Sequence, residues 1–424
     1  MAGLAHVLMM GSLFWGYFNP LFFSAGPLKA VDFFAIYEAG HRVIENRFLY
    51  EYTGPVNPAA AAPYFSPYRY VPVFAYTVGV PLNALPPWWA YWGWVAFNEL
   101  LLVLNAYATW RIAGRDSWGV VAAAMWLVFT PFYLEQFMGQ FSFLMATALL
   151  WTGIGILRQR ELLASVPWVA SLVVKSNSAL VAPLLLRLGW WRTLAAGVGA
   201  VGLNAFYFLW RPGDFQKFVD MNLTNEFNRP GLRLQYWPAQ HGLTDLIENT
   251  YLAVEVNALK TPLAYTLIPV AAIIAVSLAT TFFARRIDPL ALFAIWSAAF
   301  FLVYNDVWEF HYVMLLPALV LLVAVRPSLR LVALAVFVAT ALPLPYWLMN
   351  HVWNTGPLPE ELLLVQNAWP TWGVIFVHAA KPIPVALFWM YLVISQLRQG
   401  ISLDWVSVLG SSPKRAPNHG APHS

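Results

Sequence analysis

Apolar stretches recur along this chain, and arginines gather in alternate gaps between them. Twelve stretches can be read, near 6–25, 88–110, 118–137, 140–157, 162–174, 177–188, 190–211, 263–284, 288–304, 312–325, 331–349 and 372–396. A helix crosses a bilayer with about 20 apolar residues, so several of these are short for a full crossing. Lys and Arg in short loops mark the cytoplasmic side. Arg111 with Arg115, Arg158 with Arg160, Arg187 with Arg192, Arg285 with Arg286, Arg326 with Arg330, and Arg398 with Lys414 and Arg415 share one side if the twelve stretches cross and 71–86 does not. Segment 71–86 carries Pro72, Gly79 and Pro81 and runs into Pro86-Pro87, the pattern of a re-entrant or interfacial helix. Both termini are then expected in the cytoplasm.

Hydrophobic residues make up 60% of the 424 and charged residues 10%, against about 25% charged in soluble domains. Such a chain needs the bilayer as its solvent. The expected fold class is an all-α polytopic membrane protein, with a single integral-membrane domain over 1–410 and a disordered, Pro-, Ser- and His-containing tail at 411–424. The N-terminus lacks the basic region and cleavage site of a signal peptide, so the first stretch is expected to remain. Three polar segments fall on the outer side: 26–70, 212–262 and 350–371. Within 212–262, Phe215, Phe218 and Val219 alternate with Asp214, Lys217 and Asp220 at helical spacing, and Leu246, Ile247, Tyr251 and Val254 recur likewise, as in helices lying at the interface. Aromatic residues reach 17%, including 22 Trp, which suits interfacial belts and stacking on sugar faces. There is no cysteine, which excludes disulfides, thiolate metal sites and cysteine nucleophiles. No phosphate-cradling Gly-rich loop, internal repeat or nucleic-acid-binding signal is present.

Asp32 opens the run Asp32-Phe33-Phe34-Ala35-Ile36-Tyr37-Glu38-Ala39-Gly40 directly after the first apolar stretch. A carboxylate there is costly unless it pairs, caps or does chemistry. It suits the N-cap of a helix starting at Phe33 as well as a catalytic role, and the two are compatible. Lys175 stands between the short runs 162–174 and 177–188, at the tip of a hairpin. It either snorkels to the headgroups or meets an anion as a point-charge partner. Gly139-Gln140-Phe141-Ser142 opens a helix whose first N–H groups suit an anion. Trp308-Glu309-Phe310-His311-Tyr312 closes another outer turn, and Arg69 sits in Ser66-Pro67-Tyr68-Arg69-Tyr70. His311 and Glu309 are candidates for binding or proton transfer, although a lone interfacial His is more often merely hydrogen-bonded. Arg69 either holds a phosphate or anchors the re-entrant segment. Asp32, Arg69, Gln140, Lys175, Glu309 and His311 share one membrane level, so a single cavity is expected. An acid facing cations suits attack at a bond to phosphate, with the acid taking the nucleophile's proton and the cations holding the leaving group.

At these residues the chain resembles glycosyltransferase family 87, polytopic GT-C enzymes that include polyprenyl-phosphate-mannose-dependent mannosyltransferases. The resembling pieces are Asp32-Phe33 with Tyr37, Ala39-Gly40 and Leu49-Tyr50; Tyr68-Arg69-Tyr70-Val71-Pro72 with Pro81-Leu82; then Gly139-Gln140, Lys175, and His311-Tyr312 with Pro317. The family often has Tyr-Pro-Pro where this chain has Tyr70-Val71-Pro72, and Lys-Pro where it has Lys175-Ser176. The resemblance implies a GT-C fold of about 12 transmembrane helices with outer juxtamembrane helices, in the plasma membrane, with its active site on the outer face. It implies an inverting transfer of a sugar, mannose by expectation, from a polyprenyl-phosphate donor to a lipid- or glycan-linked acceptor. Asp32 would be the catalytic base. Lys175, His311, Arg69 and Gln140 would bind the donor phosphate, and Tyr37, Tyr68, Glu309 and Tyr312 the substrate. The scattered acids and the lack of an Asp-x-Asp motif lead us to expect neither a metal nor another cofactor. A transporter or flippase of a lipid-linked sugar is the alternative; transporters commonly carry paired repeats and polar sites near the midplane, whereas here the polar residues gather at the outer end.

Overall fold

A computed structural model describes residues 1–15, 30–50, 68–220, 222, 241–255, 258, 261–343, 371–398 and 400. The tail 411–424, positions 350–370 and parts of the segments 26–70 and 212–262 lie outside the described residues. Among the described residues every regular element is helical. Two helices form the centre, Pro289–Val303 and Leu316–Val325. All of the first is buried except Pro289 and Val303, and all of the second except Val325. A helix apolar on every side belongs in the interior. Around them stand Pro87–Ile112, Ser117–Leu127, Ser142–Leu157, Arg330–Ala341 and Pro382–Leu397. Indole N–H groups inside the bundle are satisfied by hydroxyls one helix away, Trp126 by Thr109, Trp296 by Thr281 and Trp389 by Ser277, each at 3.0 Å.

Among the described residues, four helices are long and apolar enough to cross a membrane: Ser117–Met138, Trp191–Trp210, Leu263–Phe283 and Ile375–Leu397. Two of them turn apolar side chains outward, Val198, Leu203, Phe206 and Leu209 on one and Leu263, Leu267 and Ile268 on the other. Large exposed apolar faces of this kind mark contact with lipid. The hairpin legs on either side of Lys175 are Glu161–Val174, a 3₁₀ turn Ser176–Val181 and Ala182–Arg187. At about 1.5 Å per residue these legs fall short of a 30 Å hydrocarbon core.

The segment read as re-entrant is a short broken helix, Pro72–Leu82, with a π-helical centre at Ala75–Gly79. Its eleven residues, about 16 Å, do not cross a bilayer. It lies against Val31–Ile44, the helix that carries Asp32. Where they meet, a Cβ on Gly40 would lie 2.1 Å from the carbonyl carbon of Gly79, so only glycine permits this approach. Pro212–Val219 and Leu243–Val254 are helical as the spacing suggests. Asp214, however, does not face outward with Lys217. It is buried, accepting from the Tyr50 N–H at 3.3 Å and the Tyr207 hydroxyl at 2.5 Å. Those two donors, supplied by other parts of the chain, offset its desolvation.

The helices share a polarity. Ser142–Leu157 runs from Gln140 to Arg158, and Glu161–Val174 from Arg160 to Lys175. Pro289–Val303 runs from Asp288 to Tyr304, and the run from His311 through Leu316–Val325 ends at Arg326. Contacts knit the basic ends together: Arg326 pairs with Asp288 at 2.5 Å, the Asp288 N–H meets Gln396 at 2.9 Å, and the Arg285 N–H meets the Gly400 carbonyl at 2.8 Å. The other ends meet around Asp32, Lys175 and His311. Introduced into this cysteine-free chain, Arg47→Cys and Arg158→Cys should therefore react with an impermeant thiol reagent from opposite sides of a sealed membrane. Labelling of both from the same side would overturn the two-ended arrangement.

Candidate functional site

Asp32 lies in the first turn of Val31–Ile44, where the helix dipole favours a carboxylate. It is not the N-cap. That position belongs to Ala30, held in the left-handed region at φ 63° with its N–H bonded to the Phe137 carbonyl at 2.8 Å. The Asp32 carboxylate instead accepts from Gln140 Nε2 at 2.6 Å, and Gln140 Oε1 accepts from the Tyr70 hydroxyl at 2.6 Å. Gly139 makes this juxtaposition possible. It closes Thr130–Met138 at φ 68°, and a Cβ there would stand 2.4 Å from the Cβ of Phe33. The helix N-terminus after Gln140 is not open to an external anion. The Glu135 carboxylate already caps it, accepting from the Phe143 N–H at 2.7 Å.

Lys175 ends Glu161–Val174, and its Nζ lies 3.3 Å from His311 Nε2. The Trp308 N–H donates to His311 Nδ1 at 3.0 Å, so the neutral ring carries its proton on Nε2, towards the lysine. Two groups that both donate at this range suit an anion that accepts from each. Lys175 also lies over the Tyr304 ring, 5.3 Å from its centroid. Burial pulls its ammonium down to about 8; Arg69 adds to the shift, while the carboxylates of Asp306, Asp32 and Glu135 oppose it. Arg69 pairs with Asp306 at 3.6 Å, and Asp306 also accepts from the Trp308 indole at 2.7 Å. Asp32, Gln140, Tyr70, Lys175, His311, Arg69 and Asp306 thus form one end of the bundle.

A family model for glycosyltransferase family 87 matches residues 68–304, more than half of the chain. The chain belongs to this family. A search of curated proteins finds no match. The matched region contains Tyr68, Arg69, Gln140 and Lys175. Asp32 and Tyr37 precede it, and Glu309, His311 and Tyr312 follow it. At this end of the bundle a carboxylate and a set of cations stand together, drawn from inside and outside the matched region.

Glu309 departs from the expected cavity. It is buried and pairs with the Lys381 ammonium, and its other oxygen lies 3.4 Å from His241. Lys381 also donates to the Thr340 carbonyl at 2.7 Å and lies over the Tyr312 ring. The physical reason is local geometry. Glu309 and His311 share the 3₁₀ turn Glu309–Met314, and with three residues per turn, side chains two apart point to different sides. His311 therefore faces Lys175 while Glu309 faces the sealed Lys381–His241 cluster. Tyr312 joins that second cluster, its hydroxyl donating to the His241 carbonyl at 2.7 Å. The Tyr37 hydroxyl donates to the Leu85 carbonyl at 2.9 Å and the Tyr68 hydroxyl to the Val71 carbonyl at 2.7 Å, which tie the Asp32 helix and the Arg69 loop to the segment around Pro72–Leu82.

Sequence reasoning passed over Tyr70, Asp306, Glu135, His241 and Lys381. Lys381 carried a signal, since an ionisable residue inside an apolar stretch asks for a partner. Breaking a buried pair from one side costs ~3–5 kcal/mol. Lys381→Met should destabilise the protein by about that much in thermal unfolding in detergent, and adding Glu309→Gln should recover most of the loss. A single variant as stable as the parent would show that the pair contributes nothing.

Proposed function

We propose that this glycosyltransferase is an inverting GT-C enzyme. It takes a sugar, mannose by family resemblance, from a polyprenyl-phosphate donor and passes it to a lipid- or glycan-linked acceptor. The observation that carries this reading is the convergence at one end of the bundle. Asp32, held by Gln140, stands in the field of Lys175, and Lys175 and His311 present donors to a shared point. The acceptor oxygen attacks the anomeric carbon and its proton passes to Asp32. The bond from that carbon to the phosphate oxygen breaks, and the electron pair leaves with the polyprenyl phosphate. Lys175, His311 and Arg69 stabilise the charge that develops there. Attack opposite the leaving group inverts the configuration, so a β-linked donor yields an α-linked product.

The placement of arginines supports a basic end in the cytoplasm, and with it a site on the outer face of the plasma membrane. Twelve crossings belong to the same reading of the arginines, and the GT-C arrangement is what the family resemblance implies. An apolar groove of about 390 Å³ between Pro72–Leu82 and Trp191–Trp210, lined by Val73, Tyr76, Leu203 and Phe206 among others, begins two residues after Tyr70. It would give the donor's hydrocarbon tail a path from the lipid to the site.

Asp32→Asn removes the base and keeps the shape. General-base catalysis contributes roughly 10²–10⁴-fold, so turnover on polyprenyl-phosphate sugars should fall by about that factor while donor binding survives. Near-parental turnover in folded protein would remove Asp32 from the chemistry. Lys175→Met should weaken donor binding about 10- to 150-fold, the worth of a hydrogen bond to a charged group. His311→Ala should act in the same direction and be non-additive with it, because both meet one phosphate.

Lys175 grips phosphate only as the ammonium. With its pKa pulled down to about 8, donor affinity should be full on the acid side of that value and decline as pH rises through it. Lys175→Met should erase this limb from a titration of donor binding against pH. A limb that persists in the variant would assign the titration to another group.

A further inference from the structure

We propose that Gln140 is a positioning residue for Asp32, its amide tethered at the far end by the Tyr70 hydroxyl, and not a ligand of the donor phosphate. The inference rests on Asp32 being the base, and it concerns how that base is held.

A carboxylate acting as a base must be ionised, and an ionised carboxylate only accepts hydrogen bonds. Gln140 can serve it only through its NH₂ end. An amide is nearly symmetric in shape, so something must decide which end faces the acid. Tyr70 decides it. Its hydroxyl donates to Gln140 Oε1 at 2.6 Å, and Gln140 Nε2 then faces Asp32 at 2.6 Å. Turning the amide over would set carbonyl against carboxylate and lose the bond to Asp32, and the Tyr70 hydroxyl would have to accept from NH₂ instead of donating to Oε1. Burial, followed by the carboxylates of Asp32 and Glu135, pushes the Tyr70 hydroxyl well above the ordinary tyrosine range, so it remains a donor.

Both partners of the amide are themselves fixed. The Gln140 N–H bonds the Glu135 carbonyl at 2.9 Å and its carbonyl accepts from the Trp94 indole at 3.2 Å. Tyr70 is held through its carbonyl, which accepts from the Tyr50 hydroxyl at 2.7 Å. Tyr70 and Gln140, from segments distant in the chain, thus form a relay of hydrogen bonds that ends on one Asp32 oxygen. With Oε1 held by Tyr70 and one N–H given to Asp32, the amide has a single N–H left, and a phosphate that depended on it would show as a raised donor KM in Gln140→Ala. Among the described residues, the charged and titratable groups that act on Asp32 are Tyr70 from the 68–71 loop, Glu135 from Thr130–Met138 and Lys175 from the hairpin tip, with Arg69, Tyr304 and Asp306 around Lys175. The field of Glu135 and Lys175 acts on Asp32 whether or not Gln140 or Tyr70 is present, so a change at either can be read against it.

The test compares kcat, donor KM and the acid limb of the kcat–pH profile in full-length protein, with a polyprenyl-phosphate sugar as donor. Tyr70→Phe removes one oxygen and preserves packing. It should lower kcat about 2- to 10-fold, the range for a neutral hydrogen bond, and leave donor KM unchanged. Loosening the donor that meets the ionised form raises its pKa, so the acid limb should move to higher pH. Gln140→Glu sets a second carboxyl beside Asp32, and the two would share a proton; the limb should move further in the same direction. In an Asp32→Asn background, Tyr70→Phe and Gln140→Ala should produce no additional fall in kcat, because they act through Asp32. An unmoved acid limb in Tyr70→Phe, or a raised donor KM at parental kcat in Gln140→Ala, would overturn the positioning role while leaving Asp32 as the base. Parental turnover in Asp32→Asn alone would remove the base and the positioning role together.

Discussion

Taking an ionised side chain out of water inside an apolar bundle costs several kcal/mol unless a partner meets it. The polar groups of this protein are arranged under that constraint. Asp32 is met by Gln140, Glu135 by the first N–H groups of the next helix, Glu309 by Lys381, and Asp288 by Arg326. In lipid there is little hydrophobic gain when one apolar helix meets another, so van der Waals packing and polar contacts decide how helices associate. Each of these pairs except Glu135–Phe143 joins parts of the chain far apart in sequence. The groups that would be most costly to bury therefore also define which elements are neighbours.

The same constraint separates two polar centres only two residues apart in the chain. One, around Lys175, His311, Arg69 and Asp306, combines donors with partial exposure and a lysine whose ammonium is already weakened by burial. It is suited to exchanging its interactions for those of an anion. The other, around Glu309, Lys381 and His241, is closed and internally matched. It fixes the 3₁₀ turn to Pro382–Leu397 and so supports the aim of His311. A single short turn thereby serves a candidate site with one side and the scaffold with the other.

Much of this was legible in the chain. The alternation of arginines with apolar stretches indicated a two-ended bundle, because the rule behind it concerns loop positions and needs no contacts. Asp32, Lys175, Arg69 and His311 stood out because charge and polarity are conspicuous beside apolar sequence. Gln140 was placed at the head of a helix and in one group with Asp32, but the sequence carried no sign that its amide meets that carboxylate directly. Periodicity could not show that Glu135, five residues earlier, folds back onto the same helix end. Glu309 was grouped with His311 by proximity in sequence, which assumes that both face one way; a 3₁₀ turn sends them apart. Tyr70 went unnoticed because a tyrosine among tyrosines carries no signal of its own.

By itself the sequence determined the solvent, the helical class and the polarity of the helices, since these depend on composition and on the order of apolar and basic segments. It also supplied the inventory of groups able to do chemistry. The tertiary structure decided the pairings: which carboxylate caps a helix, which neutralises a lysine, and which remains beside a tyrosine-tethered amide. Those choices depend on distances of a few ångströms between side chains more than a hundred residues apart in some cases, as with Asp32 and Gln140. The close approaches that set these distances, at Gly40 against Gly79 and Gly139 against Phe33, exist only once the helices are packed.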